Sequence, residues 1–211
     1  MRFGNVSKLV VCIYSFVFLN GFIGLPIHSA TIEPGDEELS EKKSVIYRIE
    51  PEKRGGEAFK LIYIVPVPVD VFWNFKTDFQ GTFLLSNKYI KKHHFILKAG
   101  NETITENTYS NVPNKTFRWR TTVHPGQYRI DFQLENPQEC GQKFHYGTIK
   151  LEPFGSFTKV SHIAYFDFFG ASLWVNLPFR GGMTTFLVYT AQWEIETISR
   201  LIDQYSNQPA K

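Results

Sequence analysis

The chain has 211 residues, is 43% hydrophobic and 16% aromatic with 20 Phe, and carries a formal charge of +3. Arg2 and Lys8 fall in the first 30 residues, which hold no acid, and taking those two from 23 basic residues leaves 21 against 20 acids. So balanced a body excludes the strongly basic classes and is expected to bind no nucleic acid, while the length suits one domain behind a short targeting segment.

Residues 1–30 read as a signal peptide. Arg2 and Lys8 form the positive start, the apolar run from Leu9 to Ile27 follows, and Ser29-Ala30 offers a cleavage point. Asn20, Gly21, Gly24 and Pro26 weaken the run as a membrane span. The domain is therefore expected to be exported, periplasmic or secreted after cleavage, with an uncleaved N-terminal anchor as the alternative. Cys12 lies in this segment, so a cleaved protein keeps Cys140 alone and forms no internal disulfide.

Residues 31–43 read as an acidic linker, with Glu33, Asp36, Glu37, Glu38 and Glu41 around Pro34-Gly35. The domain is expected over 44–207. A short strand at 44–50, a turn at Gly55-Gly56 and a strong strand from Phe59 to Val67 open it. Pro66 and Pro68 end that strand, and Pro68 suits the start of a helix running to about Phe79 with Val69, Phe72 and Trp73 on its apolar face. Residues 82–87 read as a second short helix. Six strands follow, at 89–98, 102–109, 115–123, 127–135, 143–152 and 157–169, separated by turn residues.

Two hairpins have a preferred face. Pairing Val123 with Tyr128 sets Thr121 on Ile130, Trp119 on Phe132 and Phe117 on Leu134, with Arg118, Arg120, Arg129, Asp131 and Gln133 outward. Pairing Leu151 with Thr158 sets Ile149 on Val160, Gly147 on His162 and His145 on Ala164, with Phe166 and Phe168 on the same inner face. The chain then runs through an apolar loop, Gly170 to Arg180, into one long helix from Gly181 to Tyr205. Met183, Leu187, Ala191, Ile195, Ile198, Leu201, Ile202 and Tyr205 share its apolar stripe; Thr185, Gln192, Glu196, Ser199 and Asp203 form the wet face. Glu194 breaks the pattern by falling inside the stripe. Either it lies near the stripe edge and snorkels or pairs with an Arg, or it looks into a ligand cavity.

The stretch Ile64-Val65-Pro66-Val67-Pro68-Val69-Asp70-Val71-Phe72-Trp73, followed by Lys76-Thr77-Asp78-Phe79 and closed by the long helix, resembles the START-like or SRPBCC superfamily from Phe59 to Tyr205. That group includes polyketide cyclases, coenzyme Q-binding START proteins and plant proteins like the birch pollen allergen. The resemblance implies an α+β helix-grip fold: a curved antiparallel β-sheet wrapped around the long C-terminal α-helix, with an apolar cavity between them. The leader, the acidic segment and the strand at 44–50 depart from the simplest members and tell against a cytoplasmic role.

The candidate ligand-binding residues are Trp119, Phe132, His145, His162, Phe166, Trp174, Phe179, Leu187 and Glu194. His145 and His162 fall on one inner face as diagonal neighbours, with Glu194 arriving from the helix above. Two His and a carboxylate can orient a ligand, do acid–base work, hold a metal or only satisfy one another; no catalytic residue, metal site or cofactor is expected. His93 and His94 are adjacent on a strand and face opposite ways. The loop 170–180, with Leu173, Trp174 and Phe179, is more apolar than a surface connection should be; it acts as a lid, touches a membrane or partner, or completes the core. Lys88, Lys91, Lys92 and Lys98 read either as a guarded strand edge or as a surface for anionic lipid headgroups.

The leading functional expectation is an exported, monomeric binding protein for a hydrophobic or amphipathic ligand such as a lipid, a quinone or a polyketide-like ring. An enzyme of the cyclase or aromatase type, using the inner His and Glu as acid and base, is the alternative. A structural or interaction module with a filled core is the second.

Overall fold

The computed structural model describes residues 33–42, 44–110, 112–169 and 182–208. The leader and the loop 170–180, including Trp174 and Phe179, lie outside the described residues. Among the described residues three helices, α1 (Asp36–Lys42), α2 (Val69–Lys76) and α3 (Gly182–Ser206), accompany strands β1 (Ser44–Arg48), β2 (Glu57–Val65), β3 (Ile90–Ala99), β4 (Glu102–Tyr109), β5 (Val112–His124), β6 (Arg129–Leu134), β7 (Gln142–Phe154) and β8 (Phe157–Phe168). The strands form one antiparallel eight-stranded sheet in the order β1-β2-β8-β7-β6-β5-β4-β3. This is the expected α+β architecture, an antiparallel sheet with a long C-terminal helix.

Local chemistry accounts for the turn from sheet to helix. Pro66 and Pro68 have no N–H to offer a ladder, so β2 stops at Val65. The Val67 carbonyl is taken instead by the Thr158 hydroxyl at 2.8 Å. Pro68 caps α2, its carbonyl accepting from the Phe72 N–H at 3.1 Å. The helix ends at Lys76, sooner than the apolar pattern to Phe79 indicates, with Thr77 as its C-cap residue and the Thr77 hydroxyl on the Trp73 carbonyl at 2.8 Å.

The sheet bends where one strand carries an extra residue. Register shifts fall at Lys91 and Ile96 in β3 and beside Phe144 in β7. Gly147 adds a second device. A Cβ there would stand 2.0 Å from the Ile163 carbonyl oxygen and 2.6 Å from the tip of the Phe132 ring. Only glycine lets that ring lie across β7.

Both hairpin registers differ from expectation by two. Val123 pairs with Ile130, and Leu151 with Val160. Each turn sits one residue further along the chain. Tyr128, at φ 46, closes the first in the left-handed region, and Gly155, at φ 60, opens the second. A shift by two keeps parity, so every side chain stays on its expected face. His145 now pairs with Phe166 and His162 with Ile149, so the two imidazoles stand further apart than diagonal neighbours.

The acidic segment is not merely a linker. Within it Asp36–Lys42 is helical, packs on β2 and β1, and buries Leu39 completely. In α3 the wet face is as expected, but the buried arc is rotated by roughly 60° toward Trp193 and Thr197, both buried, while Ile195 is half-buried and Ile202 exposed. Trp193 goes inward because the 3₁₀ turn Thr82–Ser86 meets it: Phe83 lies 6.2 Å from its ring, and its Nε1–H donates to the Ser86 hydroxyl at 3.0 Å. That rotation puts Glu194 at the centre of the buried arc.

Candidate functional site

The concave sheet face and α3 enclose a partly open cavity of about 250 Å³, with α2 and the Thr82–Ser86 turn closing one side. Trp119, Phe132, His145, His162, Leu187 and Glu194 line it. Phe166 does not: it is fully buried in the core behind His145, 5.7 Å from that ring and 6.0 Å from Phe59. Its strand face was legible, but on that face Phe166 packs into the core cluster instead of the cavity lining.

Glu194 is only 3% exposed, so its charge needs compensation. Neither an Arg nor the two His provide it. The Lys76 ammonium, from the last turn of α2, donates to Oε1. The Tyr63 hydroxyl, from the inner face of β2, donates to Oε2 at 2.5 Å. Burial, then the Glu194 charge and hydrogen bond, push the Tyr63 hydroxyl well above the usual tyrosine range, so it remains a donor. Of the two alternatives for Glu194, the cavity-facing one holds, since it lines the cavity beside Lys76; the edge position with an Arg partner does not, because Glu194 is buried and its cation is Lys76.

His145 sits in an aromatic box. Trp119 lies 5.0 Å from its ring edge to face, Phe132 6.1 Å and Phe166 5.7 Å. Phe132 also reaches His162, at 5.4 Å, so one ring spans the gap between the imidazoles. Burial pulls His145 down to about 4. His162 falls to about 3, chiefly through burial, then through the Lys76 charge and His145. Both rings are therefore neutral near pH 7. Nδ1 of His145 and Nε2 of His162 are buried with no hydrogen-bond partner among the described residues.

A second polar wall was missed in the sequence. His93 lines the cavity with Nε2–H donating to the Phe79 carbonyl at 2.8 Å and Nδ1 against Asn107 at 2.7 Å. Tyr109 stands beside them and accepts from Trp119 Nε1–H at 3.2 Å. Asp78, also at the wall, accepts from the Tyr205 hydroxyl at 2.7 Å. The alternation of β3 and β4 signalled their inward face, but nothing in it marked a cavity rather than core. Among the described residues no cluster of three His, Cys, Asp or Glu is arranged to hold a metal ion. Cys140 lies elsewhere, buried near Phe117 and Leu134, and burial raises its thiol to about 11.

Neither a protein-family model nor a curated protein sequence matches the chain. Its fold does match solved structures. The Zhui aromatase/cyclase from a Streptomyces species superposes with TM-score 0.57 at 11% identity, covering 75% of this chain and 96% of that one. Norcoclaurine synthase from Thalictrum flavum, in complex with dopamine and hydroxybenzaldehyde, gives 0.53 at 14%, covering 80% and 95%. A START superfamily protein from Mycobacterium smegmatis gives 0.53 at 10%, covering 68% and 98%. At such identities the likeness defines the fold: the chain has a START/SRPBCC-like helix-grip fold.

The Lys76–Glu194 pair has a testable signature. Lys76→Met leaves the Glu194 charge buried with Tyr63 alone and should cost about 3 to 5 kcal/mol in denaturant unfolding. Combining it with Glu194→Leu should recover most of that loss. A double variant no more stable than Lys76→Met would show that the two side chains are not coupled.

Proposed function

We propose that this protein binds a hydrophobic or amphipathic small molecule in the cavity between the sheet and α3, with separate polar atoms of the ligand meeting His145 and His162. One observation carries the reading: a mostly aromatic and aliphatic wall that also holds two buried, neutral imidazoles, each with a nitrogen unpartnered among the described residues. A buried polar atom without a partner costs about 1 to 3 kcal/mol. A ligand that supplies the partner recovers that cost and gains the apolar burial. The volume lies just under the roughly 300–1,000 Å³ usual for small-molecule sites, which favours a compact, ring-sized molecule over a long chain. The same fold holds dopamine and hydroxybenzaldehyde in norcoclaurine synthase.

Acid–base catalysis by this set is the weaker reading. Imidazoles held near 4 and 3 take up no proton at neutral pH. Glu194 is engaged by both Lys76 and Tyr63.

The reading includes export, supported by Arg2 and Lys8, the apolar run Leu9 to Ile27 and Ser29-Ala30. N-terminal sequencing of protein from its own host should begin near Ala30 or Thr31. Met1 on a soluble cytoplasmic product would overturn export and leave the binding assignment standing.

Ligand binding is tested by native mass spectrometry of the purified protein, with organic extraction of whatever travels with it. We expect a stoichiometric apolar small molecule. His162→Leu should lower its affinity roughly 5- to 150-fold, the scale of a buried hydrogen bond of about 1 to 3 kcal/mol. The same variant should leave the empty protein as stable or more stable, because an unpartnered polar atom has gone. Unchanged affinity with a marked loss of stability would make His162 a structural residue and sink the assignment.

A further inference from the structure

The cations of this sheet are distributed unevenly in their pairing. On β5, β6 and β7 they meet acids: Arg118 with Glu106, Arg120 with Glu135, Arg129 with Asp131, Lys150 with Glu152. On the edge strand β3 they do not. Lys91, Lys92 and Lys98 are exposed and have no ion-pair partner among the described residues. No acid occurs anywhere from Phe79 to Asn101. Lys88, at the start of this stretch, is engaged differently, 3.9 Å over the ring of Tyr189.

The same edge shows large aliphatic side chains to solvent. Ile96 is 52% exposed and Leu97 51%, and Leu85, in the adjoining 3₁₀ turn, is 53% exposed. Ile96 is the extra residue of a bulge, lying between the Phe95–Thr105 and Leu97–Ile104 pairs. Lysines and bulges alone would be explained as protection of a sheet edge against pairing with another chain. Two adjacent exposed aliphatics work against such protection. A polyanion such as nucleic acid would use the lysines but not Leu85, Ile96 and Leu97.

We propose that the β3 edge and the Thr82–Ser86 turn form a docking surface for an anionic lipid bilayer. Unpaired lysines meet the negative headgroups, and Leu85, Ile96 and Leu97 enter the interface below them. The location gives this consequence. Leu84, Ile90 and His93, from these same two elements, line the cavity. A bilayer on this edge therefore lies against one wall of the cavity, where an apolar molecule passing between membrane and protein would spend least time in water. The proposal stands apart from the ligand assignment: a protein can dock and carry nothing, or carry a ligand without docking.

The test is co-sedimentation of the full-length chain with vesicles of phosphatidylcholine alone and of equal parts phosphatidylcholine and phosphatidylglycerol. Wild type should pellet with the anionic vesicles, less as salt is raised, and far less with the neutral ones. The triple variant Lys91→Glu, Lys92→Glu, Lys98→Glu should lose roughly a hundredfold in affinity for anionic vesicles, the scale of three surface cations, with an unchanged melting temperature. Ile96→Ser with Leu97→Ser should weaken vesicle binding at least several-fold while leaving retention on heparin unchanged. The variants carry the same first 30 residues as wild type, so any contribution of that apolar run cancels. Equal binding of wild type and triple variant would overturn the proposal. Retention on heparin or single-stranded DNA without vesicle binding would overturn it too, by assigning the lysines to a soluble polyanion. A bound ligand found in protein that ignores vesicles would leave the cavity assignment intact while this one falls.

Discussion

The contact that the rest of the interior depends on is the one between Glu194, Lys76 and Tyr63. It joins α3, α2 and β2, three elements that meet nowhere else through charge among the described residues. Two ions leaving water face a desolvation cost that their attraction offsets only when the remaining hydrogen-bonding capacity is also filled. Here each Glu194 oxygen has its own donor. A pair of leucines would fill the same space without that requirement. The ion pair thus contributes less to net stability than to position: it fixes the azimuth of α3 and holds one compensated dipole in the cavity wall.

That position shapes what surrounds it. With Lys76 compensated but still cationic, a second positive charge nearby is disfavoured, and His162 stays neutral for that reason as well as for burial. His145, enclosed by Trp119, Phe132 and Phe166, stays neutral by burial alone. The result is a wall of rings and aliphatics in which Glu194 and Lys76 are already paired, while His145 and His162 each keep a nitrogen unpartnered among the described residues. Such a wall has little to offer a free ion and much to offer a ring that carries hydrogen-bonding groups.

Much of this was legible in the sequence, and the limits have physical causes. Alternation along a strand reports the face a side chain takes, so Trp119, Phe132, His145 and His162 could be placed inside even though both hairpins were set off by two; parity survives such an error. Phe166 shows its limit, since a face does not say whether a side chain meets cavity or core. Glu194 was visible as a misfit on the helix, but its partners were not. Lys76 is 118 positions away and reads as a routine helix-terminal cation, and Tyr63 as an ordinary strand aromatic. The azimuth of α3 was misjudged because Trp193 goes inward to meet Phe83 and Ser86, a tertiary contact that periodicity does not contain. The helix in the acidic segment rests on one apolar side chain, Leu39, too faint a pattern beside its acidic neighbours.

The central claim is that two neutral imidazoles, each with one nitrogen unpartnered among the described residues, face the cavity and await a ligand. Proton-detected ¹⁵N spectra of the imidazoles test it most directly, recorded on ligand-free protein as pH is lowered from about 7 to about 5 and again with the extracted ligand restored. The account predicts that His145 and His162 remain neutral throughout that range, and that the ligand shifts Nδ1 of His145 and Nε2 of His162. Titration of both buried rings near the ordinary histidine value, or no response of either nitrogen to the ligand, would contradict it.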